Sequence, residues 1–459
     1  MRFQWPPFST SEPCRDGRGR KDGDLKVAAT SMGMTGSLNS YRNTMDKNIK
    51  LKIIDVVYPG KGLARLDGCV VFIRGVLPGE VVTARIIKQR KNYAEAELIS
   101  IDEPSPFRIE PICPLARTCP GCTYQQIDYE EELRIKEAQF KDLLQRIGHI
   151  EEPPCLPPVP SPLPLGYRNK ITLHASCDFT ISAVKGHRTS LGYFALDNRS
   201  VIDIPSCPLA VDDINHQLQK LRGDREFISG LNDGMNLSLR YTKAGGAVFW
   251  AEGTHPENTR LTEETCLGSV QVSYKSFFQV NLQIADALIR RVMEIISEIQ
   301  PAAVIDLYCG IGLFALAAGK SGVPAVLGID RNKSAIRAAR KNARNLDLHG
   351  LRFEIMTARD GLKYGLTPLK PEETTLIVDP PRAGLPKEII ALIAEYKPST
   401  MIYISCAPDT LARDAARLSS AGYRIESTQI FDMFPRTPYF ESITVFTIPG
   451  MTIREESNQ

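Results

Sequence analysis

Cys406 and Asp379 both stand where an apolar run stops and the chain turns. In "YISCAPDTLARD" (residues 403–414) Cys406 precedes a helical pattern that begins near Asp409. In "LIVDPPRAGL" (residues 376–385) Asp379 ends the run, and two prolines stiffen the turn behind it. Open α/β sheets keep their chemistry at the carboxyl ends of strands. A thiol placed there can act as a nucleophile, and a carboxylate as a proton acceptor or ligand. The thiolate is the reactive form, and no His lies nearby in sequence to generate it. The helix start near Asp409 favours the negative charge instead.

"AVIDLYCGIGLFALAAG" (residues 303–319) reads as a strand, a tight turn and the start of a helix. Gly310 and Gly312 allow the backbone to approach a ligand. Asp330 follows Gly310 by twenty residues and ends the next apolar run, where a carboxylate reaches a ribose hydroxyl. Ala315 stands where the third glycine of a dinucleotide fingerprint belongs, which argues against a dehydrogenase. A separate cluster, "CPLARTCPGC", sets Cys113, Cys119 and Cys122 in a C-x5-C-x2-C pattern. Thiolates this close suit soft metals, zinc or iron–sulfur, but three ligands do not complete a site.

The elements that must position these groups follow from patterning. Apolar runs at 303–307, 325–329, 376–378 and 400–404 alternate with helical stretches, which predicts a parallel, doubly wound α/β sheet over residues 266–459. Residues 46–105 carry short β-branched runs broken by Pro-Gly and Asp-Gly turns, the signature of a small β-barrel, with a basic stretch at 88–91. Residues 106–265 hold the cysteines, an amphipathic helix, the Pro-rich "EEPPCLPPVPSPLPLG", read as an extended linker, and strand-like patches of a β-rich central domain. Residues 1–45 read as a disordered basic extension, and Met45 is a second candidate start. The net charge of +3 over 459 residues does not by itself demand a nucleic-acid partner. Eleven cysteines, no apolar signal core and no run long enough to span a membrane point to a cytoplasmic protein, expected to be a monomer.

The motifs "FFQVN", "DLYCGIGLFAL", "GID", "DPPRAG", "YISCAPDTLARD" and "DMFPRTPYFES", in that order, resemble the RNA (uracil-5-)-methyltransferases over about residues 46–447. The barrel resembles the TRAM RNA-binding domain, and "GYRNKITLH" the family's central-domain entry. The resemblance implies a Rossmann-like domain that uses S-adenosylmethionine to methylate carbon 5 of uridine in RNA. It implies Cys406 as the nucleophile at carbon 6, Glu441 as the base that removes the carbon-5 proton, and Asp379 beside both ligands. It implies Gln279, Tyr308, Gly310, Asp330 and Asp379 around the cofactor. It implies Cys207 as the fourth cysteine beside Cys113, Cys119 and Cys122, holding a 4Fe–4S cluster. Two departures stand out: Ala407 and Tyr439 occupy positions where the family usually has Asn and His. Barrel plus cysteines resemble the members that act on 23S ribosomal RNA, with transfer RNA as the alternative. A non-catalytic RNA-binding protein and an exocyclic-amine methyltransferase are the competing classes. The retained Cys406, Asp379 and Glu441 argue against the first, and Arg382 after the prolines, where an aromatic residue belongs, against the second.

Overall fold

The computed structural model describes residues 48–178, 188–256, 259–366 and 369–450. The basic extension, residues 1–45, and with it Cys14, lies outside the described residues, as does His187. Residues 48–57 and 61–106 make one compact unit, and Tyr58–Gly60 with residues 107–450 make a second. The first is a six-stranded sheet curled around Leu51, Val71, Val82, Ala84 and Ile86. Its strands alternate buried and open positions, as in Val81–Gln89, because one face meets the core and the other water. The basic residues Lys88, Arg90 and Lys91 lie exposed at the turn into the next strand, Tyr93–Glu103.

In the second unit an eight-stranded sheet runs in the order Leu351–Ile355, Ala325–Asp330, Ala303–Leu307, Thr374–Val378, Thr400–Ser405, Glu441–Thr447, Arg424–Phe431, Cys155–Val159. The first five are parallel. Ala303–Leu307, Thr374–Val378 and Thr400–Ser405 are buried at every position, which requires cover on both faces and explains their unbroken apolar runs. Helices Leu282–Ile299, Leu313–Lys320 and Lys333–Asn345 share a core with Val304, Val326, Ile377 and Ile402. Strand order reverses between Ala303–Leu307 and Thr374–Val378. That switch point opens a crevice at the carboxyl ends of the strands.

Two features depart from the sequence reading. The Pro-rich segment is not merely a linker: Cys155–Val159 pairs in parallel with Arg424–Phe431 as the outermost strand. Proline is tolerated on a sheet edge because no ladder hydrogen bond is lost on the open side. The central segment therefore shares a sheet with the methyltransferase-like region. The rest of that segment forms a five-stranded antiparallel sheet in which Lys170–Asp178 and Asn236–Thr242 pack Ile171, Leu173, Leu237 and Leu239 against helix Asp212–Gly223. No described helix is long and apolar enough to cross a membrane.

Candidate active site

The parallel strands deliver Tyr308, Asp330, Asp379 and Cys406 to one rim, each at or just past a strand's carboxyl end. Strand Glu441–Thr447 runs the other way, and Ser405 pairs with Ser442. Cys406 follows Ser405 and Glu441 precedes Ser442, so both stand at the same end of this ladder. An antiparallel strand is what brings the start of one segment to the end of another.

The turn after Leu307 is left-handed at Tyr308 (φ +65°), Gly310 (φ +55°) and Gly312 (φ +91°). A Cβ on Gly312 would come within 2.9 Å of Phe353 and 3.1 Å of Ala339, so only glycine fits there. Asp330 fixes the turn: Gly310 N–H donates to its Oδ2 at 3.0 Å and Asn332 N–H to its Oδ1 at 2.7 Å. Asp306, which the sequence reading did not single out, accepts from Ala315 N–H through Oδ2 at 2.9 Å. Its Oδ1 is buried with no partner, as is Gln279 Oε1. Buried acceptors without donors are costly and mark places where a ligand's donors belong. S-adenosylmethionine carries such donors and a positive charge, so this donor-seeking, carboxylate-lined rim fits it. The signal for Asp306 was available: a carboxylate inside an otherwise apolar strand.

Asp379, Glu441 and Cys406 are brought together. Burial raises the Asp379 carboxyl to about 7. Burial, then Asp379, holds Glu441 well above the usual carboxylate range, while Arg382 pulls it down. Burial, then Glu441 and Asp379, pushes the Cys406 thiol up to about 11, again opposed by Arg382. The helix Pro408–Ser420 starts two residues after Cys406, as expected, yet does not offset burial beside two carboxyls. Arg382 is the cation of this site, and its guanidinium lies 4.5 Å from the ring centre of Tyr439. That stack gives a physical role to the tyrosine that replaces histidine. Tyr58, in the Tyr58–Gly60 turn, is kept protonated by burial and then by Asp409 and Tyr439. Ala407 offers no side-chain polar group; its N–H donates to Ser405 Oγ at 3.1 Å.

The loop behind Asp379 is tied to the helix behind Cys406. Thr410 donates to Arg382 O at 3.1 Å, Arg413 to Ala383 O at 2.8 Å, and Leu385 N–H to the buried Asp414 carboxylate at 2.7 Å. Phe277, two residues before Gln279, is 73% exposed.

Cys113, Cys119, Cys122 and Cys207 line one cavity of about 450 Å³, together with Arg168, Lys170, Arg382 and Tyr439. Burial pushes the Cys122 thiol up to about 12, and Cys207, Cys119 and Cys113 add to it while Gln125 opposes. Gln125 joins two of the four, donating to Cys122 Sγ at 3.2 Å and accepting from Cys113 N–H at 3.0 Å. All ten described cysteines are free. Among the described residues, no three His, Cys, Asp or Glu side chains converge closely enough to hold a single metal ion.

Residues 268–447 match the family model described as tRNA (Uracil-5-)-methyltransferase, and residues 47–99 match the TRAM domain. The chain is 30% identical over 438 residues to a 23S rRNA (uracil(1939)-C(5))-methyltransferase RlmD of Legionella pneumophila, covering 86% of this chain and 96% of the relative. It is 29% identical over 439 residues to an RNA methyltransferase of Aquifex aeolicus, covering 88% and 99%. Its fold is similar to that of the Pyrococcus abyssi tRNA (uracil-54, C5)-methyltransferase crystallised with S-adenosyl-L-homocysteine, with TM-score 0.65, 24% identity, and coverage of 86% of this chain and 100% of that one.

Proposed function

The chain belongs to the S-adenosylmethionine-dependent RNA (uracil-5-)-methyltransferases, and from that membership we propose that it methylates carbon 5 of one uridine in ribosomal RNA through a covalent bond from Cys406 to carbon 6. The observation that carries the reading is that Cys406 and Glu441 stand at the same end of the Ser405–Ser442 ladder, with Asp379 and Arg382 beside them. The Legionella relative, 30% identical against 24% for the tRNA enzyme, acts by its name on 23S rRNA, which favours ribosomal over transfer RNA.

Carbon 5 of uracil is a weak nucleophile. Cys406 loses its proton to water, and the thiolate sulfur bonds to carbon 6. The carbon 5–carbon 6 electron pair moves toward O4, and carbon 5 becomes electron-rich. S-adenosylmethionine supplies the electrophilic methyl group when bound. Glu441 then accepts the proton on carbon 5, the double bond re-forms, and Cys406 leaves as thiolate. Asp379, at the switch point, faces both partners. Its raised affinity for a proton suits a carboxyl that donates to the uracil edge. Gln279, Asp306, Tyr308, Gly310 and Asp330 hold the cofactor. The exposed Phe277 ring offers a stacking face to a base.

The quartet Cys113, Cys119, Cys122 and Cys207 would hold a 4Fe–4S cluster, whose thiolate ligands stand farther apart than those around one zinc ion. That all four line one cavity is what supports a shared cluster. It would cross-link the segment before helix Tyr129–Arg146 to the central sheet; no chemical step passes through it.

Mapping 5-methyluridine in total RNA from cells with and without the gene tests the reading. One uridine in large-subunit ribosomal RNA should lose its methyl group and regain it with the wild-type gene but not with Cys406→Ala. Loss confined to transfer RNA would move the target, and no loss at any uridine would refute the activity.

A further inference from the structure

The loop that ends in Glu441 is gripped at three points spaced four residues apart. At the first, Asp432 accepts from Lys136 Nζ at 2.7 Å and from Tyr129 Oη at 2.8 Å. At the second, Arg436 N–H donates to Glu132 Oε1 at 2.7 Å, and its guanidinium donates to Ile127 O at 2.8 Å and lies over the Tyr129 ring. At the third, Phe440 meets Phe140 edge to face, with ring centres 5.6 Å apart. Every partner except Ile127 lies on helix Tyr129–Arg146. Lys136 bonds Glu132 as well at 2.7 Å, so two carboxylates and two cations are buried together. Burial alone would strip the proton from Lys136, but Asp432 and Glu132 hold it.

Arg436 also reaches the cysteine segment. Its carbonyl accepts from the N–H groups of Thr123 at 3.0 Å and Tyr124 at 3.1 Å, directly after Cys122. Its backbone is left-handed, φ +66°, a conformation a non-glycine residue keeps only where its surroundings dictate it. So many fixed bonds on one residue five positions before the base exceed what a surface loop needs.

Resting on the reading above, we propose that Arg436 is a positioning residue for removal of the carbon-5 proton. It locks the loop that ends in Glu441 onto the chain running from Cys122 into helix Tyr129–Arg146. In that step the Glu441 carboxylate takes the proton. The carbon–hydrogen pair becomes the carbon 5–carbon 6 double bond, and the carbon 6–sulfur pair leaves with Cys406. Addition of the thiolate does not use the loop's grip in the same way, because Cys406 is held by strand Thr400–Ser405 and helix Pro408–Ser420. A misplaced base therefore slows elimination and leaves addition intact. A general structural defect slows both in proportion.

Arg436→Gln, Arg436→Lys and Tyr129→Phe test this in the full-length enzyme. Two readouts are compared on denaturing gels: the rate of adduct formation on 5-fluorouridine RNA, and the steady-state fraction of adduct on ordinary uridine RNA. Arg436→Gln should keep the first within about twofold and raise the second about tenfold, the scale of a small misplacement of a catalytic group. Arg436→Lys, which retains the charge, should recover part of the loss. Tyr129→Phe removes the hydrogen bond to Asp432 and the one that Tyr129 Oη accepts from Ser161 N–H, without changing charge, and should shift the partition the same way, by less. It carries the test if Arg436→Gln fails to fold. An unchanged partition, or both rates falling together, overturns the proposal. Absence of any adduct with wild-type enzyme on 5-fluorouridine RNA would instead sink the covalent reading on which it rests.

Discussion

With its thiol at about 11 beside two carboxyls, Cys406 is overwhelmingly protonated at neutral pH while the site holds no ligand. Below that value its thiolate fraction rises about tenfold per pH unit. The rate of iodoacetamide labelling of the Cys406 peptide, followed by mass spectrometry, should rise with that slope from pH 6 to 9. If S-adenosylmethionine binds at this rim, its cation should move the profile to lower pH; a plateau near neutrality without cofactor would contradict this picture. That Cys406, Glu441 and Asp379 belong to one site was legible in the sequence because each sits in a short motif at a strand end. The Arg382–Tyr439 stack was not, since it depends on which loops meet in space, whereas Asp306 carried a signal, a carboxylate inside an apolar strand, that went unread. The helix start behind Cys406 was legible; the burial beside Glu441 and Asp379 that raises the thiol was not.

At the level of elements, the apolar runs at 303–307, 325–329, 376–378 and 400–404 became the central parallel strands, since burial on both faces imposes a continuous apolar pattern. The edge strand Cys155–Val159 was hidden by its prolines, and the inward face of helix Tyr129–Arg146 by charges that resemble a solvated surface. The Asp379 loop depends on Gly384, at φ +74°, whose added Cβ would come within 2.4 Å of the anchored Asp414 carboxylate. Gly384→Ala should cost about 1–3 kcal/mol and lower kcat/KM far more than it weakens cofactor binding by calorimetry. Gly422→Ala, also left-handed at φ +95° but in open space, should affect melting alone. The cysteine segment predicts that protein purified without oxygen is brown, with about four irons and matching sulfide per chain; stoichiometric zinc without sulfide would rule the cluster out.

The whole molecule pairs a TRAM barrel, whose turn exposes Lys88, Arg90 and Lys91, with a catalytic unit in which Arg168, Lys170 and Arg382 line the cysteine cavity. If the barrel's cations meet phosphates, replacing all three with Gln should reduce the magnitude of the log–log salt slope of RNA binding by about 2, at ~0.7 per single-strand contact. Cofactor affinity should stay as it was, and an unaltered slope would exclude that turn from the RNA surface. The central claim is the bond from Cys406 to carbon 6 of uracil. Its most direct test is mass spectrometry of enzyme incubated with S-adenosylmethionine and 5-fluorouridine RNA, digested to peptides and nucleosides. Fluorine cannot leave as a proton, so the account predicts a methylated fluorouridine on the peptide containing Cys406 and none with Cys406→Ala. A methylated product formed at normal rate by Cys406→Ala, or an adduct on any other residue, would contradict it.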